Sequence, residues 1–243
     1  MPLLDVRQVS VRFGGVAALS EVDLDVDDGR VTGLIGPNGA GKTTLFNVIC
    51  GLQQASHGRI VLGGADIGDL PPHKRARLGI ARTFQRLEVF GSMTTRDNIR
   101  VAGDVRRMWA KDAPPSADVA EATLDRVGLR AVADERVDSL PTGLARMVEV
   151  ARALASHPRV LLLDEPSSGL SEEETDTFAN LLVELSSEGL AILLVEHDVE
   201  LVMRVCARIH VLDFGRIISV GTPGEIQRDR EVQAAYLGTV ASE

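Results

Sequence analysis

Aromatic residues are scarce in this chain, only 3% of 243 residues, so any that stands beside a motif is informative. There are two cysteines, Cys50 and Cys206, both inside apolar helical patterns. That is too few for a disulfide framework, and buried free thiols in a reducing compartment fit better. Long apolar runs are missing too. Residues 160–163 and 190–195 are strand-length, far short of a membrane span. The N-terminus carries no cationic, apolar, small-residue leader, and no internal repeat or low-complexity tract appears. Positive charge is not in excess. The formal net charge of −9 argues against sequence-independent nucleic-acid binding, which needs an electropositive face. The expectation is a soluble cytosolic chain that, if it works at a membrane, is carried there by a partner. Its length and 44% apolar content suffice for the core of one large domain or two small ones.

The most informative stretch is Gly36-Pro37-Asn38-Gly39-Ala40-Gly41-Lys42-Thr43-Thr44. It follows an apolar run, Val31 to Ile35, and opens a segment, Leu45 to Leu52, with apolar residues at helical spacing. Strand, glycine-rich loop and helix form the context in which G-x-x-x-x-G-K-[ST] reads as a phosphate-binding loop. The glycines let consecutive backbone N–H groups turn inward around an anion, and the new helix points its positive end at it. Lys42 reaches the outer phosphates in this reading, and Thr43 places its hydroxyl on Mg²⁺.

Upstream, residues 4–27 read as two β segments. Val22, Leu24 and Val26 alternate with Asp23, Asp25 and Asp27, the period of a half-exposed strand. Between the segments stands Phe13, an aromatic placed to stack on adenine, an interaction worth ~1–3 kcal/mol by analogy with single-stranded nucleic acids. Downstream, Gly58 to Leu62 and Gly79 to Phe84 read as short strands, with a short basic helix starting at Pro71-Pro72 between them and Gln85 at the end of the second. Residues 86–139 change character: strand signals thin out, and Pro114-Pro115-Ser116 caps a helix stopped by Gly128. This stretch reads as a mainly helical insertion. An amphipathic helix starts at Leu144 and ends at His157-Pro158. A buried strand follows, closing in Asp164-Glu165-Pro166. Ser171 with Glu174 predicts a capping box for a helix burying Phe178, Leu181, Leu182 and Leu185. Ala191 to Val195 is another buried strand, followed by Glu196-His197-Asp198. A helix over 199–207, a hairpin turning at Asp213-Phe214-Gly215-Arg216 and short helices complete the chain. Apolar strands alternating with helices indicate a parallel sheet covered on both faces, with ligands gathered at the C-terminal strand edges. The loop at 36, Asp164-Glu165 and His197 all fall there.

Asp164 ends a buried strand, a position from which a carboxylate orients Mg²⁺ beside the loop threonine. Glu165 is placed to take a proton from an attacking water, and His197 to hydrogen-bond the γ-phosphate. Taken singly, each has a plain structural reading: an acidic pair capping a loop, a structural histidine, a solvated Gln85.

As a set, in this order and over essentially the whole chain, these residues resemble the ATP-binding cassette (ABC) transporter ATPases. Phe13 matches that family's adenine-stacking aromatic, Gly36 to Thr44 its Walker A loop and Gln85 its Q-loop glutamine. Leu161 to Asp164 match the Walker B strand, Glu165 the catalytic glutamate and His197 the switch histidine. The resemblance implies an α/β fold: a P-loop NTPase core with a mixed sheet, an N-terminal antiparallel β-subdomain and an inserted helical subdomain. Residues 1–85 and 140–243 would form the core and residues 86–139 the insert. It also implies ATP and Mg²⁺, with Thr43, Gln85 and Asp164 around the metal. Catalysis would fall to Glu165, His197, Lys42 and Gln85.

The implied partners are a second ATPase subunit (a copy or a different cassette), two transmembrane permease subunits and an extracytoplasmic solute-binding protein acting through them. Nucleic acid is not among them. The cassette would sit peripherally on the inner face of the cell membrane, with the segment after Gln85 lining a cleft for a permease helix. Gly79-Ile80-Ala81-Arg82-Thr83-Phe84-Gln85, Val195-Glu196-His197-Asp198 and Tyr236-Leu237-Gly238 are similar to ATPase subunits of branched-chain amino-acid importers. Related subunits serve lipopolysaccharide export. Non-transport cassettes and a degenerate regulatory cassette are further alternatives, but long coiled-coil inserts, a second cassette and an Asn-Lys-x-Asp guanine motif are all absent. Two positions depart from the family. The signature loop, usually Leu-Ser-Gly-Gly-Gln in the family or Leu-Ser-Tyr-Gly-Gln in the branched-chain amino-acid branch, reads Leu140-Pro141-Thr142-Gly143-Leu144 in this chain. Pro141 lacks a hydroxyl and an N–H, while Gly143 and the helix start remain for anion binding. Ser171 stands where the family usually has Asp, which bears on communication between two ATP sites.

Overall fold

A computed structural model describes residues 2–240, with the backbone alone over 237–240. Leu237 and Gly238 of the Tyr236-Leu237-Gly238 string therefore lie outside the described side chains. Two sheets organise the chain. In the first, β1 (Leu4–Phe13) pairs antiparallel with β2 (Val16–Val26) on one side and β4 (His57–Leu62) on the other, and β5 (Ala65–Asp66) closes the order β2-β1-β4-β5. The alternation in β2 is obeyed: Val22, Leu24 and Val26 are buried, and Asp23 is exposed. The second sheet has the order β10-β9-β3-β8-β7-β6. Its strands β3 (Val31–Ile35), β6 (Ile80–Arg82), β7 (Val160–Asp164), β8 (Ala191–Val195) and β9 (Arg208–Asp213) run parallel. Only β10 (Arg216–Gly221) is antiparallel, which makes the sheet mixed.

All five residues of β3, β7 and β8 are buried, as strands covered on both faces must be. Leu161, Leu163, Ile192 and Leu194 face the core shared with α5 (Thr142–Ala155) and α6 (Glu172–Ser187). Val160, Leu162, Leu193 and Val195 face the opposite core, shared with α1 (Lys42–Cys50) and the antiparallel sheet. The capping box at the start of α6 forms both of its hydrogen bonds, Ser171 with Glu174. Helices α3 (Thr95–Arg107) and α4 (Ser116–Arg126) pack on each other and on α5. The short helices α2 (Pro72–Arg77), α7 (Val199–Val205) and α8 (Pro223–Arg228) complete the core's covering with α9 (Arg230–Val240).

Several boundaries differ from those read in the sequence. Strand β6 stops at Arg82 and does not reach Gln85, because Phe84 N–H leaves the ladder and donates to the Glu149 carboxylate at 2.9 Å. Helix α5 begins at Thr142, two residues before Leu144. At α4 the N-cap is Pro115, and the Ser116 hydroxyl turns to Asp104 instead of capping. Both cysteines are buried and free, and burial pushes their thiols up to about 11 for Cys50 and about 12 for Cys206. Among the described residues no helix is long and apolar enough to cross a membrane.

Candidate functional site

The loop from Gly36 to Gly41 leaves the C-terminal end of β3 and runs straight into α1. Its glycines are dictated by crowding at Gly36 and Gly41 and by backbone conformation at Gly39. A Cβ on Gly36 would sit 1.9 Å from the Leu212 carbonyl oxygen, and one on Gly41 2.8 Å from that of Ala18. Gly39 and Gly41 take φ of 80° and 111°, conformations that glycine enters without the Cβ penalty. Ala40 N–H turns back to Pro37 at 3.2 Å. Among the described residues, the N–H groups of Gly39, Gly41, Lys42, Thr43 and Thr44 meet no acceptor. Unsatisfied N–H groups at a helix start form an anion site. Asn38 lies at the exposed crest of the loop and Thr43 is exposed beside it. Lys42 is buried, its Nζ donating to the Gly36 and Pro37 carbonyls at 2.6 and 3.0 Å. Burial pulls its pKa down, opposed by the charges of Glu165 and Asp164. The ammonium is therefore parked on the loop within the field of both carboxylates.

Phe13 ends β1, half exposed, and the β1–β2 hairpin flanks the loop through Ala18 and Leu19, which crowd Gly41. Asp164 ends β7 and is 2% exposed. Desolvation pushes its pKa up, and the Arg82 guanidinium 3.2 Å from Oδ2 works against that shift. Its N–H donates to the Thr83 hydroxyl at 3.1 Å. Glu165, next in the chain, adopts φ 51° and donates its N–H to the Val195 carbonyl at 2.9 Å. That turn sends its side chain to meet two partners from other strand ends. His197 Nε2 lies 2.8 Å from Glu165 Oε1, and Gln85 Nε2 donates to the same oxygen at 3.3 Å. Residues 85, 165 and 197 thus converge on one carboxylate oxygen. Gly143 stands apart from this cluster, in the first turn of α5, buried against Gly169 and Leu170.

Other residues complete the arrangement that the sequence reading did not assign. Arg82 and Glu196 appeared there only within family-like strings. Glu196 is buried, accepts from Ser167 N–H at 2.8 Å and His197 N–H at 3.1 Å, and so joins the turn after β7 to the turn after β8. Burial pushes its pKa up. Arg146 and Glu149 on α5 grip the backbone of residues 84–85: Glu149 accepts from Phe84 N–H, and Arg146 donates to the Phe84 carbonyl at 2.8 Å and to that of Gln85. The available signal was a charged residue in or beside a buried strand, which requires a partner, but nothing local names that partner.

Thr43 hydroxyl, Asp164 carboxylate and Gln85 amide are hard oxygen donors, the type Mg²⁺ takes. Among the described residues no group of three or more His, Cys, Asp or Glu side chains is placed to hold a metal. A cation here fits the mode in which one or two carboxylates, here Asp164, share it with substrate phosphates.

Residues 19–168 match the family described as ABC transporter, and residues 216–242 match that described as branched-chain amino acid ATP-binding cassette transporter. The chain is 38% identical over 251 residues to the high-affinity branched-chain amino acid transport ATP-binding protein BraF of Pseudomonas aeruginosa, covering 98% of each chain. It is 33% identical over 240 residues to the lipopolysaccharide export system ATP-binding protein LptB of Haemophilus influenzae, again 98% of each. The fold superposes with a TM-score of 0.85 on the ADP conformation of an ATP-binding cassette of an ABC transporter, at 29% identity over 98% of this chain and 99% of that one. With its loop, strand-end carboxylates and full-length relatives, the chain belongs to the ABC transporter family as an ATP-binding cassette ATPase.

Proposed function

We propose that this cassette is the ATP-hydrolysing subunit of an importer for branched-chain amino acids or similar small polar solutes. ATP lies with its phosphates on the free N–H groups of Gly39 and residues 41–44 and its adenine on Phe13. Lys42 exchanges the Gly36 and Pro37 carbonyls for the outer phosphates, a charge-assisted contact. Thr43, Asp164 and Gln85 would hold Mg²⁺, which would supply positive charge to neutralise those phosphates. Glu165 accepts a proton from the water that attacks the γ-phosphorus, and His197 orients Glu165 and donates toward the γ-phosphate. The P–O bond to ADP breaks as the bond to water forms, giving ADP and phosphate. A general base so placed is worth about 10²–10⁴ in rate. The observation that carries this reading is the convergence of Gln85 and His197 on Glu165 beside the parked lysine.

The cassette works with a second ATPase subunit, whose signature loop closes over this Walker A, while Gly143 and the start of α5 serve the partner's nucleotide. Two transmembrane permeases hold it at the inner face of the cell membrane, and a solute-binding protein acts through them. Similarity to LptB supports a second reading, export of a lipid or lipopolysaccharide.

Measurement of leucine uptake and ATP turnover tests both layers. Deleting the gene should abolish high-affinity uptake of labelled leucine, restored by the wild type and not by Lys42→Ala or Glu165→Gln. In the purified chain Glu165→Gln should retain ATP and lower turnover about 10²–10⁴-fold. Unchanged uptake with an envelope defect would favour export. Unchanged turnover in both variants would sink the ATPase assignment of these residues.

A further inference from the structure

Arg82 is the last residue of β6, and its side chain is 6% exposed. Each of its three guanidinium nitrogens goes to a different segment. Nη2 donates to Asp164 Oδ2 at 3.2 Å, Nη1 to Asn47 Oδ1 on α1 at 2.7 Å, and Nε to the Thr83 carbonyl at 3.1 Å. The plane lies over the Phe84 ring at 4.5 Å and within 5.5 Å of Phe46. A planar cation with its donors in a rigid fork makes such a span, and lysine, a single point charge, does not. The helix that follows the phosphate loop, the exit toward Gln85 and the Walker B carboxylate are therefore tied to one group.

The consequence falls on Asp164. Arg82 takes Oδ2, and among the described residues no hydrogen bond reaches Oδ1. Besides Arg82, Lys42 is the cation whose charge acts on this carboxylate. Without Arg82, Asp164 is free to turn to Lys42, so that neither is in place for its ligand. Two effects oppose each other here. The guanidinium competes with a metal for negative charge, and it also holds the carboxylate in one orientation. Asp164 is almost fully buried, where an unpaired carboxylate is costly and relocates, so orientation wins.

We propose that Arg82 is a positioning residue for the cation at the nucleotide site, presenting Asp164 Oδ1 by holding Oδ2. The inference rests on the reading of Asp164 as a cation-binding residue. Titration of Mn²⁺ into the purified chain loaded with a non-hydrolysable ATP analogue, followed by electron paramagnetic resonance, reads it directly. Binding of the same analogue in EDTA gives the metal-free control. Arg82→Gln should weaken Mn²⁺ about tenfold or more, the range seen when partners of metal ligands are removed, with metal-free nucleotide affinity unchanged. Arg82→Lys should recover part of that loss. Asn47→Ala, which frees the far end of the guanidinium and leaves the ion pair, should give a smaller loss of the same sign, and it decides the matter if Arg82→Gln does not fold. Mn²⁺ affinity unchanged in Arg82→Gln or in Asn47→Ala, while Asp164→Asn weakens it, overturns the proposal alone. Equal losses with and without metal mark Arg82 as merely structural and also overturn it. Undiminished Mn²⁺ affinity in Asp164→Asn removes the underlying reading, and the proposal with it.

Discussion

Glu165 holds a left-handed backbone conformation, φ 51°, at the point where the sheet edge becomes the site. Such a residue costs on the order of 1–3 kcal/mol and persists only where its surroundings impose it. Here the N–H bond to Val195 and the contact with His197 impose it. His210 is a contrasting single residue, an ionisable group buried with no hydrogen-bond partner among the described residues. It is 2% exposed, neither ring nitrogen finds a hydrogen bond, and Asp25 Oδ1 is 3.8 Å away. Burial lowers its pKa from 6.5 to about 4. The unfolded chain then binds the proton first as pH falls, so stability is lost between 6.5 and about 4 and is unaffected above that window. The contribution is on the order of 2–3 kcal/mol. Urea unfolding across that pH range should show His210→Leu losing less stability than the wild type by that amount. Parallel curves would mean that Asp25 keeps His210 charged in the fold.

At the scale of elements, α5 does two things. Its body grips the Q-loop through Arg146 and Glu149, and its first turn is the altered signature. Pro141 is the N-cap, φ −54°, and Ala145 N–H closes the first turn onto its carbonyl at 3.0 Å. The N–H groups of Thr142, Gly143 and Leu144 meet no acceptor among the described residues. The helix start is thus intact, and what Pro141 withholds is a hydroxyl and one N–H. Serine at that position would both cap the helix and contact an anion. A hydrogen bond to a charged group is worth about 1.5–3 kcal/mol, so Pro141→Ser should raise ATP turnover of the isolated chain, and the wild type should gain more from a second cassette with an ordinary signature. Turnover of the two proteins side by side checks this. Equal, fast rates would mean that Thr142 and the free N–H groups already suffice.

At the scale of the whole molecule, Arg82 at the end of β6 belongs both to the nucleotide cluster, through Asp164, and to the lining of a neighbouring cleft. A cleft of about 570 Å³ opens between α2, β6, α3 and α5, lined by Phe84, Glu88, Phe90, Val105 and Trp109. Its wall is stiffened by Arg152, which lies 4.5 Å from the Phe90 ring and donates to the Glu88 carbonyl. A larger cleft, about 720 Å³, opens at the N-terminal strand edges beside His157 and Arg159, away from the loop. The smaller one adjoins Arg82 and Phe84, and we propose it as the seat of the permease helix. Cysteines at Arg86, Leu87, Glu88, Val89 or Phe90 should crosslink to the permease efficiently in membranes, and cysteines at Asp118 or His157 should not. The reverse pattern would move the docking surface to the other cleft.

Much of this was legible in the chain because it is local. The phosphate loop announces itself by glycines and a lysine at fixed spacing between an apolar run and a helical one. The buried strands, the Ser171 capping box and the placing of Asp164, Glu165 and His197 at strand ends follow from periodicity and propensity. Only the tertiary structure decided which of these residues meet. Gln85 and Glu165 touch across 80 positions, Arg82 and Asp164 across 82. Such pairs depend on how the strands stack in register, and no local preference encodes that. The same holds for Glu196 bridging two turns, the early stop of β6 where Glu149 takes the Phe84 N–H, and the left-handed turn at Glu165. Each is a polar group whose partner comes from another element, chosen by the packing that removed both from water.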